Sequence, residues 1–189
     1  MALTPSGAIS LSDINTATSK SSTASISMNS TAVRCISDTN SGAVSMSSLR
    51  GKNVAGGTIT SGTKTTSGKS GTTVANGYNT NTPSPTYGTI SAGNMSTLWT
   101  GFTSIETFQT TRVGTGNYSN TCNIRATSSA GMSGSTLRTR IGSTNNVGLV
   151  YSTYISPTGP GIWNLSSASV EMISSADVSV TRDWVMTKV

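Results

Sequence analysis

The chain has 189 residues, of which only 10% are charged and 5% aromatic, while Ser, Thr and Gly predominate. Such a composition builds a thin core and gains from burial against a partner surface. The net charge of +6 comes from twelve scattered Lys and Arg with no basic run, which argues against a nucleic-acid partner, and the absence of histidine removes the commonest general base and metal ligand.

At the N-terminus, Met1-Ala2-Leu3-Thr4-Pro5-Ser6-Gly7 has neither the basic start nor the apolar stretch of a secretory signal. No segment approaches the ~20 apolar residues of a membrane span. A product made in a cytoplasm, with no membrane partner, is expected.

One short phrase then recurs. Ser6-Gly7-Ala8-Ile9-Ser10-Leu11-Ser12-Asp13-Ile14 aligns with Thr23-Ala24-Ser25-Ile26-Ser27-Met28-Asn29-Ser30-Thr31 and with Ser41-Gly42-Ala43-Val44-Ser45-Met46-Ser47-Ser48-Leu49. The spacing is nearly constant: Ile9 to Ile26 is 17 residues and Ile26 to Val44 is 18. Glycine permits a turn, the β-branched residue favours an extended step, and the serine after it is a good helix N-cap. Each copy therefore reads as an extended piece leading into one or two helical turns. No copy can bury its apolar face alone, whereas three can share one core. Ile9, Leu11, Ile14, Ile26, Met28, Val44, Met46 and Leu49 are the expected docking anchors of an attachment module over residues 1–52.

Residues 53–86 are poor in large apolar groups and rich in Gly, Thr and Ser, which reads as a linker or extended arm with a strand at Thr58-Ile59-Thr60. From residue 87 onward the pattern predicts strands at 87–91, 97–112 (broken near Gly101), 121–127, 135–141, 147–155, 162–173 and 177–188. On the last of these, Val178, Val180, Trp184 and Met186 share one face. The fold class is mainly β: an antiparallel β-sandwich or jelly-roll-like domain over residues 87–189, preceded by the small repeat module.

A catalytic set is missing. A serine nucleophile has no histidine to activate it, and the six acidic residues are dispersed, which disfavours a glycosidase pair such as Glu106 with Glu171 and any calcium cage. No enzyme, metal or cofactor is expected. Cys122 shares an alternating face with Ile124 and Ala126 and reads as a small buried hydrophobe. A disulfide involving Cys35 or Cys122, formed after release from the cell, is the one covalent link on offer. Tyr151, Tyr154, Trp163 and Trp184 read as core, with a carbohydrate-binding face as the alternative.

The repeats, with the closing Leu49-Arg50-Gly51-Lys52, resemble the opening of virion structural proteins of tailed bacteriophages, which carry tandem Gly-x-Ile-Ser-Leu/Met-Ser-x-Leu/Ile phrases ending near Gly-Lys. The resemblance covers residues 1–52. The middle copy departs from it at Ser25 and Asn29. It implies a virion location after synthesis in the bacterial host's cytoplasm. The implied partners are other virion proteins and copies of the same chain, in the head, neck (collar) or tail. A host-attachment protein binding a cell-surface glycan is the alternative.

Overall fold

A computed structural model gives the architecture over residues 2–68, 71–80, 86–91, 93–98, 101–114, 117–126, 136–142, 147–155, 161–167 and 171–188. Two short helices, α1 (Leu11–Ala17) and α2 (Thr31–Ile36), and a 3-10 turn at Met46–Leu49 come first. Strands β1 (Val54–Thr60), β2 (Gly62–Gly68), β3 (Gly71–Asn79) and β4 (Thr89–Ile90) follow, then a single helical turn, α3 (Met95–Leu98). The chain continues through β5 (Phe102–Val113), β6 (Asn117–Ala126), β7 (Thr136–Ile141), β8 (Val147–Ile155) and β9 (Gly161–Ser167) to β10 (Thr181–Lys188), with a 3-10 turn at Ser175–Asp177 before the last strand.

The protein is mainly β, and its strands pair antiparallel in the order β2-β3-β5-β6-β9-β8-β7-β10-β1-β4. That row curls back on itself, because β1 and β2, near its opposite ends, are separated in the chain by Ser61 alone. The turn at Ser61 is held by a bridge to Val178. A sandwich-like core results, in which Phe108 of β5 meets Trp184 of β10 edge-to-face with ring centroids 5.7 Å apart although four strands lie between them in the row. Around this pair are buried Ala55, Ile59, Ile105, Cys122, Ile124, Leu137, Ile141 and Met186 from the strands. Met95 and Leu98 of α3, with Met172 and Ile173, cover the same core.

The stretch 53–86, expected as a linker or extended arm with a strand at Thr58-Ile59-Thr60, holds that strand within β1 and also supplies β2 and β3. Gly56 and Gly57 are there for close approach rather than for flexibility. A Cβ on Gly57 would lie 2.1 Å from the Ser91 carbonyl oxygen, and one on Gly56 would lie 3.0 Å from that of Thr18. Of the strand expected at 97–112 with a break near Gly101, residues 97–98 are instead helical, in α3, and 102–112 lie in β5; Gly101 before β5 has φ +82°.

Both faces of β10 are covered. Trp184 and Met186 enter the sandwich core, while Val185 between them enters a second core under the helices. The alternating pattern expected for this strand overlooked Val185; the unbroken Trp184-Val185-Met186 run is the signature of a strand buried on two sides.

Candidate functional site

The repeat phrase builds a recurrent local structure. In the first copy Ser10 caps α1 through a capping box: its Oγ accepts from Asp13 N at 3.2 Å and its N–H donates to Asp13 Oδ2 at 2.8 Å. In the third copy Ser45 Oγ accepts from Ser47 N at 3.2 Å and opens the 3-10 turn. Gly7 and Gly42, at equivalent positions, both take φ +83° with nothing within 4 Å of where a Cβ would sit. The left-handed backbone, rather than crowding, selects glycine there. The middle copy has Ala24 at this position and behaves differently. Ser27 Oγ still accepts from Asn29 N at 3.1 Å, but the helix starts three residues later, at the Ser30 N-cap of α2.

The two ends of the module are tied together. Leu3 N donates to Lys52 O at 2.9 Å, Gly51 N to Thr4 O at 3.1 Å, and Ala2 bridges Asn53. The chain passes from there directly into β1.

Most of the expected anchors are used within the chain. Ile9, Ile14 and Leu49 are buried, and Ile26, Met28, Val44 and Met46 pack half-buried on the same cluster. Leu11 alone of the eight points outward, at 39% exposure. The cluster also contains Leu3, Ala17, Ala32, Val33, Cys35 and Ile36, together with Val54 of β1 and Val185 of β10. The helix carrying Ala32, Val33 and Ile36 was readable from the Ser30 cap and the i, i+3 and i+4 spacing that follows it, a signal the repeat alignment masked.

Polar contacts complete the seam between module and sheet. Lys20 Nζ lies 2.5 Å from Asp183 Oδ2 of β10, and Asp38 lies 2.9 Å from Arg138 Nε of β7. Thr31 Oγ1 donates to Gly142 O, and the Cys35 thiol donates to Val185 O at 3.3 Å and Arg138 O at 3.4 Å. Asn94 Nδ2 donates to Thr16 O at 2.9 Å and Ala17 O at 3.1 Å, at the C-terminal end of α1. A Cβ on Gly93 would collide with Ser19 Oγ, so the module lies flush on the sheet.

Cys35 and Cys122 are both free and fully buried. They occupy different cores, so no disulfide joins them. Burial pushes both thiols above the usual range.

Glu106 on β5 is engaged by Arg125, whose Nε is 2.5 Å from Oε1. Glu171 instead lines a pocket of about 480 Å³ with Asn76, Arg112 and Ser175, and desolvation raises its carboxyl pKa against the opposing effect of Arg112. Among the described residues no group of three His, Cys, Asp or Glu is placed to hold a metal ion, and no helix is long and apolar enough to cross a membrane. Of the four aromatics considered for a glycan face, Trp184 is in the core and donates from Nε1 to Ser91 O at 2.9 Å. The side chains of Tyr151, Tyr154 and Trp163 lie outside the described residues.

Comparison of the chain with family models, with curated proteins and with solved structures finds no match to any of them.

Proposed function

We propose that this chain is a non-enzymatic structural component of a tailed-bacteriophage particle, an accessory or decorating subunit of its head, neck (collar) or tail. The observation that carries the reading is the repeat itself. Its first and third copies rebuild one device, a glycine at φ +83° followed by a serine-capped turn, in the phrase that resembles phage virion proteins. Partners in this reading are other virion proteins and further copies of the chain.

The packing changes how attachment would work. Seven of the eight aliphatic anchors serve the module's own core, so they brace the module on the sheet and leave its outer side to meet the particle. Leu11, exposed beside the α1 cap, is the apolar group available on that side.

The reading is tested by producing the tagged full chain during infection and banding the particles on a density gradient. Recovery in a fixed ratio to known particle proteins supports it, with Leu11→Glu lowering that ratio. A chain found wholly in the soluble fraction rejects it.

A further inference from the structure

The chain contains six carboxylate side chains, and each has an assigned place. Asp13 caps α1 through Ser10. Asp38, Glu106, Asp177 and Asp183 pair with Arg138, Arg125, Arg182 and Lys20. Glu171 lies in the pocket with Arg112. None is left for Arg140, which sits on β7 opposite Val185 of β10 on the face that α2 covers.

Arg140 is only 8% exposed, and its Nε and Nη1 are buried with no acceptor. A guanidinium stays charged in a protein and carries five donors, so burying it without an acceptor or counter-charge is expensive. Its surroundings add positive charge. Arg34 of α2, 9% exposed, lies near enough to oppose the charge of Arg140. The neighbouring Cys35 is held as a neutral thiol by its burial and cannot serve as counter-ion.

We propose that Arg140, with Arg34 beside it, forms an oxyanion-binding site at the seam between α2 and β7, filled by an anion from outside the chain. The shared chemistry is a phosphate or a carboxylate, whose oxygens accept from the guanidinium fork. In this proposal the anion reaches the guanidinium along the 8% of Arg140 that stays exposed. An anion there would neutralise the seam and lock the module onto the sheet. The site stands on these residues whether or not the chain belongs to a particle.

Thermal unfolding of the full chain tests it, with sodium phosphate and sodium acetate each compared with chloride at equal ionic strength. Phosphate at saturation is expected to raise the wild-type Tm by roughly 5 °C. Arg140→Gln should abolish the rise. An equal rise with acetate identifies the site as a carboxylate receptor, whereas a rise with phosphate alone identifies a phosphate site. No anion-specific rise in the wild type, or the same rise in R140Q, overturns the proposal. The ³¹P linewidth of phosphate titrated with wild-type chain gives a reading that needs no variant. Broadening reversed by excess sulfate supports the site, and an unchanged line overturns it.

Discussion

Trp184 and Val185, adjacent on β10, belong to different cores. The indole meets Phe108 inside the sandwich, and the valine packs beneath α2 with Cys35 and Ile36. One strand is thus the shared wall of two hydrophobic clusters, and the repeat module and the sheet are coupled through it.

Loss of either side chain should therefore loosen both cores. We expect Val185→Ala to cost about 1–2 kcal/mol and Trp184→Ala about 3–5 kcal/mol, the usual range for truncations at fully buried sites. Urea transitions followed by tryptophan fluorescence and by Cys35 labelling should coincide in the wild type and in both variants. Cys35 becoming reactive well before the fluorescence change would mean that the module detaches independently.

Two classes of glycine should separate by the size of their effect. Gly7 and Gly42 are chosen by a positive φ with open space around them, so alanine at either should cost about 1 kcal/mol from backbone strain alone. At Gly57 the added methyl would meet the Ser91 carbonyl oxygen at 2.1 Å and β1 would have to move. Gly57→Ala should be the far more damaging change, and equal urea midpoints for G7A and G57A would contradict this account.

These glycines also mark where the sequence was legible and where it misled. Local signals were sound: Ser10 and Ser45 cap turns as serine in that setting does, and the stretch 147–155 pairs as β8. What composition could not reveal is that Gly56 and Gly57 are small because Thr18 and Ser91 press on them. Close approach and flexibility call for the same residue, so β1 to β3 read as a linker. The anchors suffered a similar ambiguity. Ile9 and Leu49 are apolar for burial, and only the fold tells that the cluster they join includes Val54 of β1 and Val185 of β10 from the same chain. Arg140 was invisible as a site, because its significance lies in how the carboxylates are partnered.

Cys35 and Cys122 should be inert in the native chain, since each is buried and each thiol is held protonated. An aromatic disulfide reagent is expected to release no colour from the folded protein and two equivalents in denaturant. Electrophoresis should show the same mobility with and without reductant. Rapid reaction of one thiol under native conditions would place it at the surface and refute its assignment to a core.

The α1 cap gives the module a defined acid sensitivity. Hydrogen bonds from the backbone and side chain of Ser10 lower the Asp13 pKa from its ordinary 3.8. A carboxyl depressed in the folded state stabilises that state above its unfolded pKa, and the contribution is lost as pH falls through the folded value. The cap should thus be intact at neutral pH and weaken below about pH 4. Asp13→Asn should flatten this part of the stability profile. An unchanged slope between pH 5 and about 2.5 would rule out a role for Asp13 in acid unfolding.

The pair of Glu106 and Arg125 supplies the sharpest asymmetry. The carboxylate side chain is 12% exposed and the guanidinium 40%, so removing one partner is not equivalent to removing the other. Arg125→Met leaves a mostly buried carboxylate without its cation. It should cost about 2 kcal/mol at pH 7, less than a fully buried pair would lose because solvent screens the arginine. Glu106→Gln leaves a cation that can turn to water and should cost less. The double variant should be more stable than R125M alone, because the stranded charge is gone. Equilibrium unfolding of the four proteins gives the coupling directly. Strict additivity would show the ion pair to be energetically silent and would place the worth of this part of β5 in its packing alone.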